Sequence, residues 1–370
     1  MNARRYQSVF AHVPYQFCGH VTEYLVANTE HLCLFVFETR FGKKRHRIER
    51  YENGVKTGER ELRSSHNVFL YYWRWFLYAH VELFRFAAKA PGRTIVFCGH
   101  PVNLFGMTLH RLVHRVRYAY WIGDYFPSRS IVIRCFERVK RFYNSRVDFA
   151  WYLSDAINRI ENGEVRNEPC RRTVPWGIRM HPGCDAVRRD TRRLLFVGLL
   201  REGQGIDALV DFIAANPRYC LSIIGEAAYG YDRTVARMIT DRRVSDRVFF
   251  PNRFYSQDEL VEEAKRSFAG IALYDTGADN FTHYADPGKV KAFIELGLPV
   301  IMTRISDVVP WIERFSAGIV VDSVSDVPSA ARTIAENPEK YNEGVRNFAT
   351  RFDYERHYGE AFAQMESAHV

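Results

Sequence analysis

The chain is poor in the signatures that assign a function at sight. Its seven cysteines are scattered with no C-x-x-C pair, which argues against zinc and thiol-redox motifs. An odd number of unpaired thiols points to a reducing compartment. No G-x-x-x-x-G-K-[ST] occurs and no G-x-G-x-x-G follows the first strand of either half, so P-loop and dinucleotide chemistry are disfavoured. RNP, helix-turn-helix, KH and zinc-finger spacings are missing too, which argues against nucleic acid. The N-terminal "MNARRYQSVFAHVPY" lacks an apolar core and a cleavage site, so export is not expected. His110 and His114 lie four apart on a helix with no carboxylate nearby, and read as a surface pair rather than a metal site.

Long uninterrupted apolar runs are also absent. The most apolar stretch, "FLYYWRWFLYAHVELFRFAA" (Phe69–Ala88), is broken by Arg74, His80, Glu82 and Arg85, too much charge for a membrane span. It reads as a helix, either packed along a core or lying in a membrane interface with its Trp and Tyr side chains.

What is present is a globular composition, 47% hydrophobic and 15% aromatic, with unevenly placed charge. Residues 1–185 hold 29 Lys and Arg against 16 Asp and Glu, and the remainder 23 against 27. A basic first half suits an anionic partner, of which a membrane surface or a lipid phosphate fits better than nucleic acid.

Apolar runs alternate with helical patterns through the whole chain. "SVFAHVPY", "HLCLFVFET", "TIVFCGH", "YAYWIGDY" and "VDFAWYLS" read as strands, and "HRIERYENGVKTGERELR" as a polar hairpin turning at Asn53-Gly54. After a linker-like stretch at Met180–Arg193 the pattern restarts with "RLLFVGLL", "YCLSIIGE", "RVFFPNRF", "FAGIALYD" and "AGIVVD". The expected fold class is α/β, two tandem Rossmann-like domains facing each other across a cleft. The domains are 1–183, 191–345 and a terminal helix, 346–370, that returns to the first.

"YADPGKVKAFIELGLPVIMT" (Tyr284–Thr303) concentrates the chemistry. Asp286 is expected to cap a helix with Pro287 at its first position. Gly288 allows close approach of a ligand, and Lys289 sits in the first turn. Free amides, the positive end of the helix dipole and a lysine together suit a phosphate or diphosphate. An ordinary βα unit with a solvated lysine fits the same residues.

This stretch resembles the donor-site motif of GT-B nucleotide-sugar glycosyltransferases of the family 4 type. Lys289, Gly297 and Pro299-Val300-Ile301 match it in spacing. The family's ribose-binding glutamate falls on Ala292, and Glu295 is its candidate substitute. The motif is also similar to that of the membrane-associated glucuronosyltransferase of xanthan assembly. "LLFVGLLREGQG" resembles the first strand and loop of the donor domain, with Gly198 and Gly205 matching. The family's diphosphate-binding Arg and Lys fall on Leu199 and Gln204, and Arg201 is the candidate replacement cation. The resemblance further implies donor contacts from Glu226, Arg253 and Tyr274, with Asn252 in a glycine's place.

In the first half the resemblance puts His100 and Asp124 at strand ends on the acceptor side, and Gly19 with His20 beside acceptor or phosphate. Asp124 is the candidate base for the acceptor hydroxyl; an N-cap role fits the same position. A base acting on the incoming hydroxyl favours inversion at the anomeric carbon.

The function so implied is transfer of a sugar from a UDP- or GDP-sugar to a lipid-linked or growing saccharide, in cell-surface polysaccharide or glycolipid synthesis. No Asp-x-Asp motif is present, so no metal and no cofactor beyond the nucleotide-sugar are expected. The expected location is cytoplasmic, peripheral on the inner face of an anionic membrane. A nucleotide-sugar epimerase or hydrolase of the same architecture, and a non-catalytic transferase-like scaffold, are the rival readings.

Overall fold

A computed structural model describes residues 6–14, 19–37, 46–63, 65–125, 130–184, 192–228, 230–274 and 281–367. Residues 185–191 of the expected linker lie outside the described residues. The chain divides into two compact units. One comprises Met1–Gly177 with Tyr354–Val370, and the other Ile178–Asp353. The second divide thus falls at Asp353/Tyr354, after the helix that contains residue 346.

The first unit is built on an eight-stranded sheet. β1 (Tyr6–Pro14), β2 (Thr29–Phe37), β5 (Thr94–Cys98), β6 (Val116–Ile122), β7 (Phe149–Tyr152) and β8 (Arg171–Thr173) are parallel. The polar hairpin β3 (His46–Glu52) and β4 (Val55–Leu62) extends the β2 edge antiparallel, giving the order β4-β3-β2-β1-β5-β6-β7-β8. Its turn is the expected Asn53-Gly54, both at positive φ (51° and 81°), the geometry that lets a two-residue loop follow the strand twist. β8 and the helix before it, α5 (Asp155–Asn162), are three and eight residues long, too short to stand out in the sequence.

Helices α1 (Val21–Asn28), α2 (Val68–Lys89), α3 (Met107–Val113) and α4 (Ile131–Asn144) complete the crossovers of this unit. α2 buries one stripe, Tyr71, Trp75, Ala79 and Leu83. Glu82 on that stripe is 2% exposed and holds the hairpin to the helix, accepting from Arg50 at 2.8 Å and from Arg60. Aromatic side chains make the core on the other face: Phe362 lies 4.7 Å from Trp151 and 5.5 Å from Tyr24, ring centre to ring centre. Phe362 belongs to α13 (Tyr354–Ser367), the terminal helix, which is part of this unit.

The second unit carries a six-stranded, all-parallel sheet. Its strands are β9 (Arg193–Val197), β10 (Cys220–Ile224), β11 (Val248–Phe249), β12 (Ala269–Ala272), β13 (Val300–Thr303) and β14 (Gly318–Val321), in the order β11-β10-β9-β12-β13-β14. β11 is two residues long, because Pro251 has no N–H to give a ladder. The crossovers are α6 (Ile206–Ala215), α7 (Tyr231–Asp241), α8 (Gln257–Lys265), α9 (Gly288–Glu295) and α10 (Val309–Phe315), followed by α11 (Val327–Glu336) and α12 (Pro338–Arg351). Short apolar strands sealed on both faces are what a parallel sheet requires, and Leu194, Leu195, Phe196, Ile223, Ile271 and Ile301 are all fully buried.

Candidate functional site

In the second unit, the carboxyl ends of β9, β10 and β12 and the start of α9 bring several sequence-predicted residues together. Lys289, second residue of α9, is half-buried. Its Nζ lies 4.1 Å from the Phe196 ring centre and 5.6 Å from that of Tyr274. It donates a hydrogen bond to Oε1 of Gln204 in the loop after β9. Burial draws its pKa down to about 7, and the neighbouring Arg201 guanidinium pushes the same way. Arg201 itself is exposed and stands 5.4 Å over the Phe281 ring.

Gly198 is what allows the lysine to lie there. Its φ is 142°, and a β-carbon added to it would come within 2.6 Å of Lys289 Cε. Tyr274 is buried, its backbone N–H bound to the Thr303 hydroxyl at 2.9 Å, and desolvation raises its phenol pKa. Gly198, Arg201, Tyr274 and Lys289 therefore form one polar cluster at the positive end of a helix. That arrangement can hold and neutralise a diphosphate.

In the sequence Gln204 reads only as the place of a lost cation. In the structure it is the partner of Lys289, and no local pattern distinguishes it from a solvated loop glutamine.

The remaining predicted donor residues lie on neighbouring loops. Glu226 is exposed, and its carbonyl accepts from Leu200 N–H at 3.0 Å, lacing the loops after β9 and β10. Asn252 adopts φ 49° and accepts from Ala227 N–H at 3.0 Å, so its side chain supports the loop as well as replacing a glycine. Arg253 pairs with Glu259 at 2.6 Å and stacks 4.4 Å over Tyr255. Glu295 stands at the opposite end of α9 from Lys289, where it accepts from Arg179 N–H at 3.1 Å.

Asp286 does not cap α9, which begins at Gly288 with no side-chain cap. Its carboxylate is buried and lies 3.5 Å from Lys291 Nζ, an equally buried ammonium that lies 4.0 Å over the Phe352 ring. An ion pair takes precedence because Lys291 needs a counter-charge more than the helix needs a cap. The acidic group expected beside the anion site is thereby neutralised.

In the first unit Asp124 follows β6 and is exposed. Surrounding protein raises its carboxyl pKa, with Lys140 opposing and Glu137 adding to the shift; exposure lets water screen part of this. Its backbone carbonyl accepts from Lys140 Nζ at 3.0 Å. His100 lies 4.7 Å from Trp75, ring to ring, accepts from Val102 N–H at 3.2 Å, and has its pKa lowered to about 4 by burial. His20 sits at φ 57° before α1, 3.4 Å from Glu23 and 5.5 Å from the Tyr354 ring. The Gly19 carbonyl accepts from the Tyr358 hydroxyl. A side chain at Gly19 would meet Trp176 and Tyr358 at 2.8 Å, so this glycine is required for packing.

A separate cavity of about 540 Å³ opens in the first unit between α1 and the β1–β3 strands, with Arg47, Glu49 and Tyr51 on its wall. His110 is not on the surface: it is 3% exposed and its Nε2 lies 3.0 Å from His80 Nδ1. Among the described residues no three His, Cys, Asp or Glu side chains are placed to hold a metal ion.

Comparison with known proteins bears on the fold. The glucosyltransferase 3-like C-terminal domain family matches residues 231–363. No curated protein matches the sequence. Sucrose-phosphate synthase from Thermosynechococcus elongatus superposes with a TM-score of 0.68 over 98% of this chain and 100% of its own, at 14% identity. The α,α-trehalose-phosphate synthase (UDP-forming) from Burkholderia vietnamiensis gives 0.66 over 97% and 100%, also at 14% identity. The chain has the GT-B fold. Anabaena HepE, solved in complex with UDP, matches at 0.64 over 98% and 100% with 13% identity. Identities this low speak to the fold, and the residues above speak to the chemistry.

Proposed function

We propose that this GT-B chain is a glycosyltransferase, divergent from the family 4 type. It transfers a sugar from a UDP- or GDP-sugar to a lipid-linked or growing saccharide at the inner face of the cytoplasmic membrane. The second unit takes the donor and the first unit the acceptor. The observation that carries this reading is Lys289, half-buried at the start of α9 against Gly198 and Gln204, with Arg201 near enough to lower its pKa.

In this reading the acceptor hydroxyl oxygen attacks the anomeric carbon and its proton passes to Asp124. The bond from that carbon to the diphosphate breaks. The leaving nucleoside diphosphate keeps the electron pair, and its charge is met by the α9 N-terminus, Lys289 and Arg201 without a metal. The polar wall of the first-unit cavity, Arg47, Glu49 and Tyr51, suits the hydroxyl groups of a saccharide.

A thermal-shift screen over UDP, GDP and their sugars tests the donor half, because a ligand of the folded state raises stability by about 2.7 kcal/mol at a hundred times its Kd. Stabilisation by one nucleotide series is expected, followed by sugar transfer to lipid-linked saccharides. No shift with any nucleotide supports a non-catalytic scaffold. Donor turnover without acceptor supports an epimerase or hydrolase.

A further inference from the structure

The crossovers α2, α3 and α4 cover one side of the first unit's sheet, and their outward surface is unusual in two ways. The first is its apolar content. Leu112 is 80% exposed, Ile131 75%, Phe69 71% and Leu109 61%, with Trp73 and Phe84 about half exposed beside them. The helices that carry these residues adjoin. The Phe105 ring lies 6.4 Å from Phe76 of α2 and 5.6 Å from Tyr143 of α4, while His114 packs 4.6 Å from Phe84. A soluble monomer rarely leaves so many large apolar side chains bare on adjoining helices.

The second feature is charge. α4 presents Arg134, Arg138 and Arg141 outward, Arg146 follows just past its end, and α2 adds Arg85 and Lys89. The only carboxylates in α2, α3 and α4 are Glu82 and Glu137, and both are buried. Glu82 is tied to Arg50 and Arg85, and Glu137 to Lys140 at 2.5 Å. The outward surface of these helices is therefore apolar and cationic, with no exposed carboxylate among the described residues.

We infer that the α2–α3–α4 face docks on an anionic lipid bilayer, seating Phe69, Trp73, Leu109 and Leu112 at the headgroup boundary while the α4 arginines meet lipid phosphates. A second copy of the chain is a poor occupant, since pairing this face with itself would oppose arginine to arginine. A bilayer supplies both missing complements, an apolar interior and dense negative charge. No helix among the described residues is long and apolar enough to cross a membrane, so the contact is interfacial. The inference rests on the membrane location proposed above and is independent of the transfer chemistry.

The test is flotation of the full chain with vesicles of phosphatidylcholine alone or of phosphatidylcholine and phosphatidylglycerol in equal amounts. Binding to the mixed vesicles, weakened by salt, is expected. Leu109→Ser with Leu112→Ser removes the apolar half, and Arg134→Glu, Arg138→Glu and Arg141→Glu the charged half. Each arginine near an anionic surface is worth roughly fivefold, so the triple variant binds on the order of a hundredfold less tightly. All these side chains are exposed, so both variants keep the parent's melting temperature. Trp73 fluorescence, isolated by comparison with Trp73→Phe, is quenched by brominated lipid. Vesicle binding untouched by both variants overturns the inference. So does a lipid-free dimer that the leucine variant dissolves, which would assign the face to a second copy. Calorimetry with UDP and GDP in the absence of lipid reads the donor site separately, so loss of one result does not imply loss of the other.

Discussion

Gln204 and Lys289 are 85 residues apart in sequence, and in the fold the amide oxygen of one accepts a hydrogen bond from the ammonium of the other. A neutral partner at this position has a consequence that a charged one would not. Burial holds the Lys289 pKa down at about 7, so at neutral pH about half of its positive charge is supplied when an anion arrives.

Diphosphate binding should therefore take up protons. A bound diphosphate favours the ammonium and raises its pKa above 7, so affinity falls as pH rises from about 7 toward the pKa of the complex, by up to roughly tenfold per pH unit. Calorimetry of UDP or GDP binding in buffers of different ionisation enthalpy should show the uptake at pH 8. Lys289→Ala should remove it and weaken binding about ten- to a hundredfold, the loss expected for one charge-assisted contact. Equal proton uptake by the mutant would place the titration elsewhere.

Gly198→Ala tests the packing behind that lysine. The new methyl would stand 2.6 Å from Lys289 Cε at a φ of 142°, so either the lysine swings away or the loop after β9 moves. Diphosphate affinity should fall by about tenfold or more, with a cost in melting temperature from the strained backbone. A mutant with parental affinity would show that the lysine reaches its ligand from another position.

Much of this arrangement can be read from the sequence, and its failures have local causes. The order of strands and helices follows from apolar periodicity, and the Asn53-Gly54 turn from the positive φ it needs. Lys289 and Gly198 are legible because a helix start and a strand end constrain their neighbours. Asp286 is misread as a cap because its choice depends on Lys291, five residues on and buried against α12. His110 is misread as a surface residue because the ring that covers it, His80, is 30 residues away on another helix. Gln204 and Glu295 likewise depend on which backbone or side chain the fold brings to them.

The buried histidines predict acid sensitivity in the first unit. His46, His80, His100 and His110 are each held near a pKa of about 4, mainly by desolvation, and His12 is lowered for the same reason. Their unfolded-state value is 6.5, so between about pH 4 and 6.5 the unfolded chain binds more protons. Stability is complete above this window and is lost as pH falls through it, by roughly 1 kcal/mol per imidazole at about pH 5.5. Five of the six tryptophans lie in this unit, so fluorescence melts should report its early unfolding. A melting temperature flat from pH 7 to 5 would mean the cluster charges without opening the fold.

Asp124 gives the sharpest test of mechanism. It follows β6 with its carboxyl pKa raised by the surrounding protein and with Lys140 tied to its own carbonyl, so its carboxylate is a better base than a free aspartate. Asp124→Asn keeps the shape and removes the basicity. Turnover should fall by roughly 10²–10⁴, the size of a general-base contribution, while UDP or GDP affinity and the melting temperature stay near the parent's. The rate should also decline in acid as the parent's carboxyl takes up its proton, a limb that the Asn variant lacks. Inversion at the anomeric carbon is expected of the product, because a base that deprotonates the incoming hydroxyl serves a single displacement. A retained configuration would remove Asp124 from that role even if the variant were inactive, leaving it to orient the acceptor. Near-parental turnover by the Asn variant would reduce it to a structural residue at the end of β6.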